Sequence, residues 1–174
     1  WPEGGVDSDP TRSQGTAAVL DELSRRVDAP LLISAVTERG PNLYNSSVLW
    51  TADGAPEQMY DKRHPVPFGE YVPDRAFWEP FAPDLIGLIG REYTPGTADP
   101  VVDIDGVVAG LAICFDVIYD DVRGEGGSEG GGVDLFQADK PDLRGAGGEL
   151  QQLALAPLVG VEHGRAVVKR STSG

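Results

Sequence analysis

The 174-residue chain carries 28 acidic and 14 basic residues, for a net charge of −14. That balance excludes the cationic surface on which nucleic-acid affinity depends, and it gives no attraction toward an anionic membrane. The length suffices to bury a core, and no apolar run approaches the ~20 residues of a membrane helix.

In chain order, Pro2-Glu3 followed by Gly4-Gly5 reads as the end of a strand. Residues 14–28 predict a helix with Val19, Leu20, Leu23 and Val27 on one face and charges opposite. Pro30 stops it, and Leu31 to Val36 reads as a buried strand. The stretches 46–51 and 58–62 flank Asp53-Gly54, a hairpin signal. Residues 63–100 are rich in Pro and aromatics and carry few regular signals. A second hairpin is expected from Val101–Asp105, Gly106 and the run that reaches Cys114. Six glycines fall within residues 124–132, too flexible for an element interior. Val133, Leu135 and Phe136 keep a strand alternation, residues 149–163 read as a helix weakened by Pro157, and Val167-Val168 open a last strand. Hairpins mixed with helices predict a sheet that is not purely parallel.

Cys114 is the only cysteine. The apolar run from Val107 to Phe115 breaks at Asp116, which places the thiol on the rim of a sheet. A lone thiol serves packing or chemistry. As a nucleophile it must become a thiolate, so it needs a base or a cation nearby. Glu3 and Lys62, each ending a predicted strand, could supply a proton acceptor and an oxyanion partner. Taken singly, such residues are ordinarily solvent-facing, and a cysteine is ordinarily core. Phe77-Trp78-Glu79-Pro80-Phe81 with Leu85–Ile89 reads either as a greasy lid or as core under the sheet. His64 and His163 lack metal-ligand spacing, and the glycines lack the strand and helix context of a nucleotide loop.

Glu3, Lys62 and Cys114, in that order and with those flanks, resemble the catalytic triad of the nitrilase (carbon–nitrogen hydrolase) superfamily. The segment Tyr60-Asp-Lys-Arg-His-Pro-Val-Pro-Phe-Gly-Glu-Tyr-Val-Pro73 closely resembles the lysine segment of apolipoprotein N-acyltransferases. Tyr44-Asn-Ser-Ser-Val48 resembles the strand before that lysine, and Val161–Val168 with Ser171–Gly174 is similar to a later stretch. The likeness fails between Asp121 and Glu149, so 122–148 is expected to be a divergent Gly-rich segment within a partial nitrilase-like domain spanning 1–174.

The resemblance implies an α/β fold, the nitrilase-like αββα sandwich, incomplete at both ends. It implies a phospholipid as acyl donor, a Cys114 thioester, and the N-terminal diacylglyceryl-cysteine of an apolipoprotein as acceptor. Glu3 would be the general base and Lys62 the oxyanion partner. Glu70 matches the family's second glutamate, and Asp116 would help fix the site. Phe115, Tyr71 and Trp78 would contact substrate. No cofactor is implied. Contact with the plasma (inner) membrane, on its extracytoplasmic side, is expected through regions outside this chain. Two alternatives stay open: a soluble amidase or nitrilase using the same three residues with water, and a catalytically impaired domain.

Overall fold

The computed structural model describes residues 1–54, 56–122, 132–138, 161 and 164–170. An antiparallel three-stranded sheet and a mixed four-stranded sheet face each other, with a helix on the outer side of the first. The helix expected at 149–163 lies outside the described residues apart from Val161, as do residues 124–131 of the glycine tract.

Helix α1 spans Gln14–Val27, with the Ser13 side chain accepting from the Thr16 amide at its start. Asp28 ends it with a left-handed φ of 51°, two residues before Pro30. Strand β1 (Leu31–Arg39) turns through Gly40-Pro41 into β2 (Asn42–Trp50), and β2 pairs antiparallel with β3 (Pro56–Asp61). The strands run longer than the apolar stretches that announce them. A paired backbone ladder continues past the last buried side chain, out to the exposed Glu38 and Arg39.

The buried face of α1 differs from the expected one. Leu20 and Ser24 are buried and Ala17 joins them, whereas Val19 and Val27 are each 58% exposed. Leu20 packs on Ile33, Val48 and Trp50, and Asp21 accepts a hydrogen bond from the Trp50 indole at 2.8 Å. The polar anchor fixes the rotation of the helix, so of the expected stripe Leu20 is buried and Leu23 half-buried while Val19 and Val27 face out.

Short helices α2 (Arg75–Trp78) and α3 (Pro83–Leu88) interrupt the long Pro-rich connection. The second sheet follows in the order β4 (Val101–Ile104), β5 (Val107–Ile113), β6 (Val133–Gln137), β7 (Ala166–Arg170). The β4–β5 hairpin is antiparallel through Asp105-Gly106, both at positive φ, and β5, β6 and β7 are parallel. Residues 1–5 form no named strand. They run beside β1, where Val6 bridges Ala35 and the Gly4 amide donates to Ser34 Oγ.

Between the sheets lie Leu49, Tyr60, Val102, Ala109, Leu111 and Ile113, with Leu32, Ile104, Leu135 and Cys114 against them. Full burial of a branched aliphatic side chain such as Leu49, Val102, Leu111 or Ile113 contributes about 1.5–3 kcal/mol. This layer holds the ends of β3 and β5 at the same level. The connection from α3 to β4 then crosses the end of β3, where the Gly96 amide donates to Lys62 O at 2.9 Å. A Cβ on Gly96 would lie 2.1 Å from Asp61 O. Gly96→Ala should therefore lift this crossing and cost about 1–3 kcal/mol in urea denaturation; an unchanged midpoint would contradict the close approach.

Candidate active site

Lys62 extends the β-ladder one residue beyond β3, its amide donating to Asn45 O at 2.8 Å. Its side chain points inward and is 1% exposed. A buried ammonium must be paired. Nζ lies 2.8 Å from Glu70 Oε2 and 3.4 Å from Glu3 Oε1. Burial alone would push the Lys62 ammonium down. Glu3, Glu70 and Cys114 outweigh it and hold the group above its ordinary value, so it stays charged through the neutral range.

Glu70 sits in a tight turn, Val66 to Tyr71, in which Phe68 takes a positive φ of 59°. Its Oε2 also accepts the Val66 amide at 2.7 Å, so the carboxylate braces its own loop while it faces the lysine. Glu3 arrives from the segment beside β1. Both carboxylates accept from Asn45 Nδ2, at 2.6 Å for Glu3 and 3.1 Å for Glu70.

Cys114 follows the last residue of β5 and opens a 3₁₀ turn, Cys114–Ile118. Its φ of 51° is left-handed, a conformation that costs a non-glycine residue about 1–3 kcal/mol. The chain reverses there, and the half-buried thiol stays against the inter-sheet layer, within electrostatic reach of Lys62. Glu3 and Lys62 are thus paired, with Cys114 within electrostatic reach of the lysine.

Asp116 is fully buried beside that cluster, within electrostatic reach of Lys62. It accepts from the Tyr60 hydroxyl at 2.8 Å and the His64 amide at 3.0 Å, tying the turn after Cys114 to both sides of Lys62. Burial raises the Asp116 carboxyl above its ordinary value, against the opposing pull of those two donors. His64 also stacks on Tyr119 and meets Asp121 at 2.9 Å.

The three expected substrate contacts fall in different settings. Phe115 is half-buried and edge-on to Tyr119. Tyr71 is half-buried at the end of the Glu70 turn, its carbonyl accepting from Phe68. Trp78 is 41% exposed and packs edge-on to Phe68 and Phe77. Phe77, Phe81, Leu85 and Leu88 are more exposed still, so of this stretch only Ile86 is core. The reading as core under the sheet therefore fails for most of it.

Two contributors are not apparent as site residues in the sequence. Asn45 lies in a matched segment, and its parity with Ser47 and Leu49 on β2 places it on the inward face. Tyr60 reads as an ordinary strand aromatic, and only the contact with Asp116 gives it a role.

The carbon-nitrogen hydrolase family matches residues 6–154, and the chain belongs to that family. Among curated relatives it is 32% identical to the apolipoprotein N-acyltransferase of Mycolicibacterium smegmatis and 26% identical to that of Bradyrhizobium diazoefficiens. Both alignments cover 100% of this chain but 30% and 34% of the relative, so the chain spans about a third of their length. Among solved structures, a CN-hydrolase superfamily protein from Xanthomonas campestris superposes with a TM-score of 0.69 at 20% identity, covering 98% of this chain and 61% of that one. An amidase from Nesterenkonia sp. AN1, with acrylamide added at its active-site cysteine, gives 0.64 at 17% identity, covering 94% and 56%. These two establish the α/β fold, and the family match places it in the carbon-nitrogen hydrolase family.

The Asp116 brace predicts a pH-dependent defect. Tyr60→Phe removes one of the donors and should cost about 1–3 kcal/mol near neutral pH. Because the folded carboxyl titrates above its unfolded value, the fold favours the protonated acid; that stabilisation is present in acid and lost as pH rises through the folded value, where the carboxylate forms and comes to depend on its donors. The defect should therefore shrink at about pH 4. Urea midpoints at both pH values check this; an equal loss at each would remove Asp116 from the explanation.

Proposed function

We propose that this chain carries the catalytic site of a ping-pong N-acyltransferase that acts on lipoproteins. The observation that carries the reading is the buried Lys62 ammonium held by Glu3 and Glu70 within electrostatic reach of Cys114. The curated relatives supply the acyl-transfer direction.

In the first half-reaction Cys114 Sγ attacks an ester carbonyl of a phospholipid, and Glu3 takes the thiol proton. Lys62 stabilises the oxyanion of the tetrahedral intermediate. Collapse breaks the ester C–O bond, Glu3 returns the proton to the departing alcohol, and a lysophospholipid leaves behind a Cys114 thioester. In the second, the α-amine of an apolipoprotein's diacylglyceryl-cysteine attacks that thioester. Glu3 accepts the amine proton, an amide forms, and the thiol regains its proton. Glu70 and Asp116 position the other groups without transferring protons. Phe115, Tyr71 and Trp78 line the approach of the acyl chain. The exposed aromatic face formed by Phe68, Phe77, Trp78 and Phe81 supports a lipid donor, since a solvated apolar patch of this kind commonly marks a binding surface. The parent protein works at the extracytoplasmic side of the plasma (inner) membrane. Among the described residues, no helix is long and apolar enough to cross a membrane.

After incubation of the intact protein with phospholipid, the Cys114 peptide should carry an acyl mass that is absent in Cys114→Ala. Glu3→Gln and Lys62→Met should each prevent the adduct while circular dichroism shows an unchanged fold. An unmodified thiol under these conditions would favour the impaired domain. Equally fast loss of the adduct with and without an amine acceptor would favour a hydrolase. A further expectation concerns donor presentation. Trp78→Ser combined with Phe81→Ser should slow acylation from phospholipid vesicles about 10-fold, the loss expected from one buried aromatic anchor. Acylation from a soluble short-chain ester should be unchanged, and equal slowing with both donors would argue against lipid contact.

A further inference from the structure

Two carboxylates and one ammonium in a nearly closed space need something to keep them apart and in place. Glu3 and Glu70 come from unrelated segments, one beside β1 and the other in the turn after Lys62. Between them sits Asn45, 7% exposed, on the inward face of β2. Its backbone is fixed twice, by pairing with Val36 and by the Lys62 amide bonded to its carbonyl. Its Nδ2 donates to Glu3 Oε1 at 2.6 Å and to Glu70 Oε1 at 3.1 Å. An amide nitrogen has two hydrogens, and each carboxylate receives one.

We infer that Asn45 is a positioning residue: a neutral double donor that sets the separation of the base and the bracing carboxylate around Lys62. This deepens the acyl-transfer reading and rests on it for the identity of the base. The physical content is charge-neutral fixation. A cation at position 45 would also bind both carboxylates, but it would neutralise the base that must take the thiol proton. An acid there would add a third carboxylate around one ammonium. The amide holds both carboxylates as acceptors and leaves their charge in place for Lys62.

Asn45→Leu conserves size without a donor or a charge, so it separates donation from packing. With donation as the role, Asn45→Leu is no more stable than Asn45→Ala, because both leave the two carboxylates without their shared donor. With packing as the role, Asn45→Leu stays close to wild type and well above Asn45→Ala, which would overturn the inference. This denaturation arm needs no activity, so it stands even where the transferase reading fails. In the kinetic arm, acylation of Cys114 by a soluble p-nitrophenyl ester should fall on the order of 10- to 100-fold in kcat for Asn45→Ala, with KM little changed. A loss confined to KM, or none in a protein whose wild type is acylated, would also overturn it. If Asn45→Ala does not fold, Asn45→Ser replaces it in both arms, keeping one hydroxyl donor and falling between wild type and Asn45→Leu.

Discussion

A lysine ammonium almost wholly removed from water is tolerable only when opposite charge meets it at close range, and that requirement organises this molecule. Lys62 meets Glu70 at 2.8 Å and Glu3 at 3.4 Å. Each partner is delivered by a different piece of chain, so the first sheet, the segment beside β1 and the turn after β3 must all be in register before the charge is satisfied. Removing one partner from such a buried arrangement costs several kcal/mol, far more than an exposed ion pair provides. The cluster therefore acts as a check on correct folding.

The second sheet contributes the thiol through geometry rather than charge. β5 runs through the core and stops at Ile113, and the next residue turns back with a left-handed φ. Asp116 then pins the turn to Tyr60 on the first sheet and to the backbone at His64. The Cys114 thiol and the Lys62 ammonium are thus held near each other by a buried carboxylate bonded to Tyr60 and to the His64 amide. The strain at Cys114 is sustained because the residues two before and two after it, Ala112 and Asp116, are both buried and fixed.

Much of this was legible in the residues. Alternation and turn signals locate β2 with β3 and β4 with β5, and the run from Tyr60 to Pro73 marks the lysine and the second glutamate. What periodicity could not reveal were choices made by polar contacts. The rotation of α1 is set by Asp21 on the Trp50 indole, so Val19 and Val27 face out although they complete an apolar stripe. Asn45 carries no signal of its own, because a polar residue on an inward face is recognisable only once its two partners, 42 and 25 residues away, are placed beside it. Gly96 is similarly silent until the crossing over Asp61 is seen.

At the margin where β3 and β4 approach each other, Gln58 uses its side-chain amide in both directions. It donates to Asp103 O at 2.7 Å and accepts from the Asp103 amide at 2.9 Å. A side chain thereby imitates one rung of a ladder between strands that belong to separate sheets. Strand margins left bare are templates for a neighbouring molecule to add to, and a margin already occupied offers no such purchase. Gln58 thus leaves the Asp103 backbone groups at this seam with no free donor or acceptor to offer an incoming strand.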